Sequence, residues 1–170
     1  EPKTEDARSR GVAALRELIA DYPDHELAPR AALAIARSWH HRGRHEEALA
    51  AVEKLLARWG EGKGAEAAEA RALKGDILRA QGRYDRAATA YRAYLSAHPD
   101  HGKWRQVQAA VVECAYEKAR ATERRGKEHH DEAIALYRAF MADHPLDGRN
   151  RAILLRIAGM SAGPAWAEQA

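Results

Sequence analysis

One stretch limits the possible folds more than any other part of the chain: residues 68–101, AEARALKGDILRAQGRYDRAATAYRAYLSAHPDH. Small residues, Gly75 and Ala87, lie where two antiparallel helices would cross, Gly82 separates the two helices, and Pro99 ends the second. The large residues at helical spacing are Leu78, Tyr91, Tyr94 and Leu95. The pattern predicts a helical hairpin, which cannot bury its apolar faces alone and therefore stacks on neighbours of the same kind.

The same pattern occurs one step earlier, in residues 30–60. Ala36 and Ala48 lie 39 residues before Gly75 and Ala87, and Trp39 lies 39 residues before Leu78. We predict a first helix that begins near Pro29 and a second that carries Ala48, Val52, Leu55 and Leu56. At its end Gly60 and the loop EGKG replace the proline turn, so we expect Gly60 to be left-handed and the loop to be mobile.

A third and longer hairpin follows in residues 103–145. Its first helix is predicted from about Trp104 to Arg125, and in its second helix Ala133, Tyr137, Phe140 and Pro145 repeat the central pattern. The step from Ala87 to Ala133 is 46 residues, and the seven added residues predict a first helix about 10 Å longer than its neighbours. The charged tip RATERRGKEHH is interpreted as a solvated extension, with a partner-docking knob as the alternative.

Single helices are predicted at both ends of residues 1–170, which we interpret as one domain. Residues 5–23 contain an apolar stripe ended by Pro23 and form a half repeat or an amino-terminal cap. Residues 148–160 form a carboxy-terminal helix, followed by a loose tail over residues 161–170 that carries Trp166. These half repeats favour continuity with further chain.

The matching small, aromatic and proline positions resemble those of the tetratricopeptide repeat family over residues 8–158. The resemblance implies an all-α fold, a right-handed superhelical solenoid of antiparallel helix pairs with about eight helices, and a non-catalytic scaffold for protein or peptide partners. The closing sequences DYPDH, SAHPDH and ADHP are most similar to bacterial cell-envelope members of the family, the Tol-Pal coordinator and outer-membrane assembly lipoproteins. This similarity favours the cell envelope or periplasm over the cytoplasm, although no cysteine near the amino terminus provides a lipid anchor.

Composition argues against several other classes of protein. The formal net charge is +3, from 28 Lys and Arg against 25 Asp and Glu, and the two signs alternate along the chain. A concentrated basic stripe for nucleic acid is therefore not expected. No apolar run approaches the length of a membrane span, so no membrane insertion is expected.

No motif for catalysis, cofactor binding or metal binding is recognisable. Cys114 is the single cysteine, which excludes an internal disulfide and a multi-cysteine zinc site. His40, His41 and His45 are close in sequence, but Gly43 places a turn among them, so His41 and His45 would not share one helical face. We therefore predict no enzyme activity, no cofactor and no metal site.

The resemblance also implies where a partner binds, because the first helix of each pair lines the concave surface in this family. The residues expected on that surface step by three or four along each first helix: Arg30, Leu33, Arg37, His40, Glu69, Asp76, Arg79, Gln106 and Glu113. The set is mixed in sign, which fits a peptide or protein segment with both charges and a few apolar anchors. Two alternatives stay open: these are merely solvated side chains, or the whole chain is a structural spacer within a larger multidomain protein.

Overall fold

The computed structural model describes residues 2–61 and 64–162, with side chains at residues 7, 9–61 and 64–162. Within these residues the chain forms α-helices and one 3₁₀ turn, Lys127–His129, and no strand. The eight helices are α1 Pro2–Asp21, α2 Leu27–His41, α3 His45–Trp59, α4 Ala65–Ala80, α5 Tyr84–Ala97, α6 Trp104–Glu123, α7 His130–Asp143 and α8 Asn150–Ala162. The predicted all-α fold and the number of helices are confirmed. The predictions for the EGKG loop and the tail with Trp166 fall largely outside the described residues.

Two compact units divide the chain, Glu1–Val111 and Val112–Ala170. In the first unit, α2 packs against α3 and α4 packs against α5, while α3 also packs on α4. The first helices α2 and α4 also contact each other, and α1 packs on α2. Each helix is thus covered by its neighbours in sequence, which is the arrangement of a helical solenoid.

Two equivalent glycine turns connect the helices of these pairs. Gly43 has φ of 69° and Gly82 has φ of 71°, a left-handed conformation that costs glycine little. In the first turn the amide of Arg44 donates to the carbonyl of Trp39 at 3.0 Å, and in the second the amide of Arg83 donates to the carbonyl of Leu78 at 2.9 Å. The 39-residue repeat therefore extends to the hydrogen bonds that end the first helix of each pair.

Gly60 differs from the prediction made for it. Its φ is −78° and its ψ is −16°, a right-handed conformation, so the expected left-handed helix terminus is wrong. Its carbonyl accepts a hydrogen bond from the Nη2 of Arg71 at 2.5 Å. The end of α3 is therefore stabilised by a side chain of α4, a long-range contact that a local glycine rule does not contain.

The second unit has its own core, between the end of α6 and the helices α7 and α8. The buried residues of that core are Ala119, Ile134, Tyr137, Phe140, Ile153 and Ile157. At the end of α6, Glu123 accepts a hydrogen bond from the Tyr137 hydroxyl at 2.6 Å and pairs with Arg156 at 3.1 Å. Thr122 is buried as well. The first turn of the predicted tip is thus packed within this unit and is not a solvated extension.

The seven added residues of the third pair are shared between a helix and a turn. α6 contains 20 residues and α4 contains 16, so the helix is longer by about 6 Å at 1.5 Å per residue, less than the predicted 10 Å. The other three residues lengthen the connection to α7, which holds the 3₁₀ turn and Gly126 with φ of 119°. A turn of this kind ends α6 at Glu123, before the predicted Arg125.

Candidate protein-binding surface

Charged residues of α2, α4 and the start of α6 pair with one another along one side of the first unit. Arg30 Nε lies 3.9 Å from Glu66 Oε1, Arg37 forms an ion pair with Glu69, and Lys103 Nζ lies 3.6 Å from Glu69 Oε2. We call these five residues the first-helix face. The structure thus brings the predicted residues Arg30, Arg37 and Glu69 together, and it adds Glu66 and Lys103.

The ion pairs of this face are partly open to solvent, although the Glu69 Oε2 atom itself is buried. The side chain of Arg37 is 46% exposed and that of Glu69 is 27% exposed. Exposed ion pairs contribute only about 0 to 1 kcal/mol to stability. A ligand carboxylate can therefore reach the exposed guanidinium groups of Arg30 and Arg37 at small cost.

Leu33 does not belong to this face. Its side chain is 5% exposed, because α1, α3 and α4 all pack on α2 and leave only a narrow strip of that helix exposed. The prediction that Leu33 faces outward on the concave surface is therefore wrong. Gln106 and Arg79 are exposed, as an outward-facing position requires.

Asp76 and Glu113 each bind a side chain of the unit to which they belong. The carboxylate of Asp76 accepts a hydrogen bond from the Tyr91 hydroxyl at 2.6 Å, and Arg149 Nη1 donates to Glu113 Oε2 at 2.7 Å within the second unit. Both predicted residues are half-buried. Each carboxylate therefore holds a side chain of its own unit, which leaves it less available to a partner than the first-helix face.

His40 is half-buried beside a second histidine. Its ring centroid lies 5.4 Å from that of His45, and the Nδ1 atoms of both rings are buried without a hydrogen-bond partner. Burial lowers the pKa of His40, the neighbouring His45 lowers it further, and Asp76 opposes the shift. The spacing of the histidines does not predict this pair, because the turn at Gly43 brings the two rings together. Nowhere in residues 2–61 and 64–162 do three potential metal ligands converge.

Two grooves lie on the second helices of the first unit, where the sequence predicts no binding residue. The first groove, of about 570 Å³, is lined by α1, α2 and α3, and the second groove, of about 460 Å³, by α3, α4 and α5. Residues of the first groove include Ile19, Trp39, Ala51, Lys54 and Trp59. Residues of the second include Leu56, Lys74, Leu78, Arg86 and Ala90. We call these two grooves together the second-helix face.

The helical hairpins, their glycine turns and their 39-residue step agree with a comparison against known families. The sequence model of the tetratricopeptide repeat matches residues 8–63 and 47–102, which together make up more than half of the chain. The chain belongs to the tetratricopeptide repeat family. Repeats of this family generally mediate protein–protein interaction and are non-catalytic, which indicates protein partners for this tetratricopeptide repeat chain.

The comparisons go no further than the family. No curated protein matches the chain. Similarity to the Tol-Pal coordinator type therefore stays a prediction, as does a place in the cell envelope. Among the described residues, no helix of this tetratricopeptide repeat protein is both long and apolar enough to cross a membrane.

Proposed function

We propose that the chain is a non-catalytic protein–protein interaction scaffold that binds a peptide or an extended protein segment along the first-helix face. Membership of the tetratricopeptide repeat family supports the class of function. The observation that carries the choice of surface is the partly exposed pair of Arg37 with Glu69, flanked by Arg30 with Glu66 and by Lys103.

The charge pattern of this face supports a ligand that carries both signs. The face holds three cations and two carboxylates, and each cation lies beside a carboxylate, so a segment of one sign alone would meet both attraction and repulsion. The charged side chains of a segment with alternating charges can form ion pairs with the cations and carboxylates of this face. Ordering such a segment costs conformational entropy, so we expect a modest affinity.

A spacer within a larger protein is the second candidate function. The observation that favours it is on α8, where Leu154 is 57% exposed and Leu155 is 71% exposed. End helices of a solenoid usually have a polar outer face. An apolar outer face on α8 would suit stacking on a further helical element.

A charge exchange tests the first candidate. Peptides are selected from a displayed random library on the wild-type chain, and their affinity is measured for the double variant Arg37→Glu, Glu69→Arg. This variant keeps the net charge and an ion pair between positions 37 and 69 with its sign inverted, but it removes the contact of Lys103 with Glu69. We expect at least about a tenfold loss of affinity, as for close charge pairs at interfaces. The free energy of unfolding should change by no more than about 1 kcal/mol, as for surface ion pairs.

The matched control is the double variant Glu53→Lys, Lys74→Glu. It exchanges the ion pair of Lys74 Nζ with Glu53 Oε1, 2.9 Å long, which joins α4 to α3 on the second-helix face. Peptides bound by the first-helix face should retain their affinity for this control. Equal affinity for the wild type and the Arg37→Glu, Glu69→Arg variant would rule out the first-helix face as the site.

A further inference from the structure

The two grooves of the second-helix face are the same structural feature in consecutive repeats. Trp39 and Ala51 of the first groove lie 39 residues before Leu78 and Ala90 of the second. Each groove lies between the second helices of neighbouring pairs, with a first helix between them. A ligand that fits one groove can therefore meet an equivalent groove one repeat further along the first unit.

Basic side chains are concentrated around these grooves. Seven cations line the two grooves, and only two carboxylates, Glu47 and Glu53, do so. The cations are Arg16, Lys54 and Arg58 in the first groove and Arg71, Lys74, Arg83 and Arg86 in the second. The whole chain carries a net charge of only +3, so the excess of cations is a local property of this face.

Three of these cations already form hydrogen bonds or ion pairs within the protein. Arg71 donates to the carbonyl of Gly60, Lys74 pairs with Glu53, and Arg58 Nη2 lies 3.7 Å from Asp24. Lys54 and Arg86 are exposed at the edges of the first and the second groove. These two residues are therefore the best placed to meet a carboxylate of a ligand.

The apolar part of the first groove contains two tryptophans held in place by arginines. The guanidinium groups of Arg42 and Arg44 lie 4.5 Å and 4.7 Å from the Trp39 ring centroid, and that of Arg58 lies 5.0 Å from the Trp59 ring centroid. Both tryptophans are half-buried. Tryptophan and arginine are enriched among the residues that dominate binding energy at interfaces, and a ring already fixed in place loses little entropy on binding.

We propose that the second-helix face is a separate docking site for an acidic amphipathic segment of another protein. Bulky apolar side chains of the segment would occupy the first and second grooves, and flanking Asp or Glu residues would pair with Lys54 and Arg86. Charge complementarity selects the acidic class, and the apolar floor requires anchors that a purely anionic polymer does not have. The site is distinct from the first-helix face and does not depend on it.

Three synthetic peptides of equal length test the proposal by titration calorimetry against the whole chain. The first is an amphipathic helix with Leu on one face and Glu elsewhere, the second replaces Glu with Lys, and the third keeps Glu but replaces Leu with Ser. We expect the first peptide to bind at least about tenfold more tightly than either of the others. Comparable affinity for the Lys or the Ser peptide, or no binding of the first, would overturn the proposal.

Two pairs of variants, one in the grooves and one at their edges, locate the site. Ala51→Gln and Ala90→Gln fill the two grooves with a neutral side chain that favours helix, and Lys54→Glu with Arg86→Glu reverses the exposed charge at their edges. Each of these two double variants should lower the affinity for the first peptide by about tenfold or more, while its circular dichroism spectrum stays unchanged. Arg92→Glu, the same charge reversal on an exposed residue of α5 outside the groove, should leave affinity within about twofold.

The variant Arg37→Glu, Glu69→Arg separates this proposal from the function proposed above. It should leave binding of the acidic peptide unchanged, because both residues lie on the first-helix face. If that variant lowers the affinity for the acidic peptide and the groove variants do not, the peptide does not bind at the second-helix face.

Discussion

The ring of Tyr91 packs directly against Gly75, where α4 crosses α5. A Cβ built on Gly75 would lie 2.7 Å from the ring Cζ, closer than side chains approach. Tyr91 is 1% exposed, and its hydroxyl is held by Asp76, so the ring cannot easily move away. The absence of a side chain at Gly75 thus permits the close crossing of the two helices.

Gly75→Ala should therefore destabilise the protein, although alanine favours helix over glycine by about 1 kcal/mol. Overpacking in a filled core costs about 1 to 3 kcal/mol, so we expect a net loss in the free energy of unfolding measured with denaturant. The matched control is Gly11→Ala in α1, where an added Cβ meets nothing within 4 Å. That substitution should be neutral or stabilising. Equal stability of both variants would contradict the crossing.

Much of this crossing could be predicted from the sequence. Small residues at Gly75 and Ala87 and a large one at Tyr91 define a close contact wherever two helices form a hairpin, and Gly43 and Gly82 are required by their turns. These relationships are local or repeat after 39 residues. Spacing alone therefore reveals them.

Contacts between helices that lie further apart in sequence could not be predicted from residue spacing. Spacing places Leu33 near Arg30 and Arg37 on α2, but only the packing of three other helices on α2 decides that Leu33 is buried. The pairing of Glu123 with Tyr137 and Arg156 depends on where the lengthened turn returns the chain. The second-helix face depends on how α1, α3 and α5 pack on the first helices between them, and the spacing within one helix does not reveal this packing.

Tyr137→Phe tests the hydrogen bond that holds the end of α6 in the second unit. The Tyr137 hydroxyl is 2.6 Å from Glu123, whose side chain also pairs with Arg156, and we expect a loss of about 1 to 2 kcal/mol because a bond to a charged group is removed. Burial, with a contribution from Glu123, raises the pKa of Tyr137 above its ordinary value of 10.0. The variant should therefore lose its whole share of the free energy of unfolding below pH 10. In more alkaline solution the free energies of unfolding of the two proteins should approach each other. A phenylalanine variant as stable as wild type would contradict this role.

The stability of the first unit should depend on pH through His40. Burial and the neighbouring His45 lower the pKa of His40 below 6.5, while Asp76 opposes the shift and His41 adds to it. Below pH 6.5 the unfolded chain takes up a proton at this position more readily than the folded chain, so the free energy of unfolding should decrease as the pH falls. His40→Gln should lose less stability than wild type between pH 7 and pH 5. Parallel pH profiles of the two proteins would mean that His40 titrates alike in both states.

The most direct measurement of the proposed function is a map of amide chemical shifts for the labelled chain as a library-selected peptide is added. We expect saturable shifts at Arg30, Arg37, Glu66, Glu69 and Lys103, and we expect these shifts to be lost in the Arg37→Glu, Glu69→Arg variant. Shifts confined to other surfaces, while the first-helix face stays unperturbed at saturation, would contradict the proposed function.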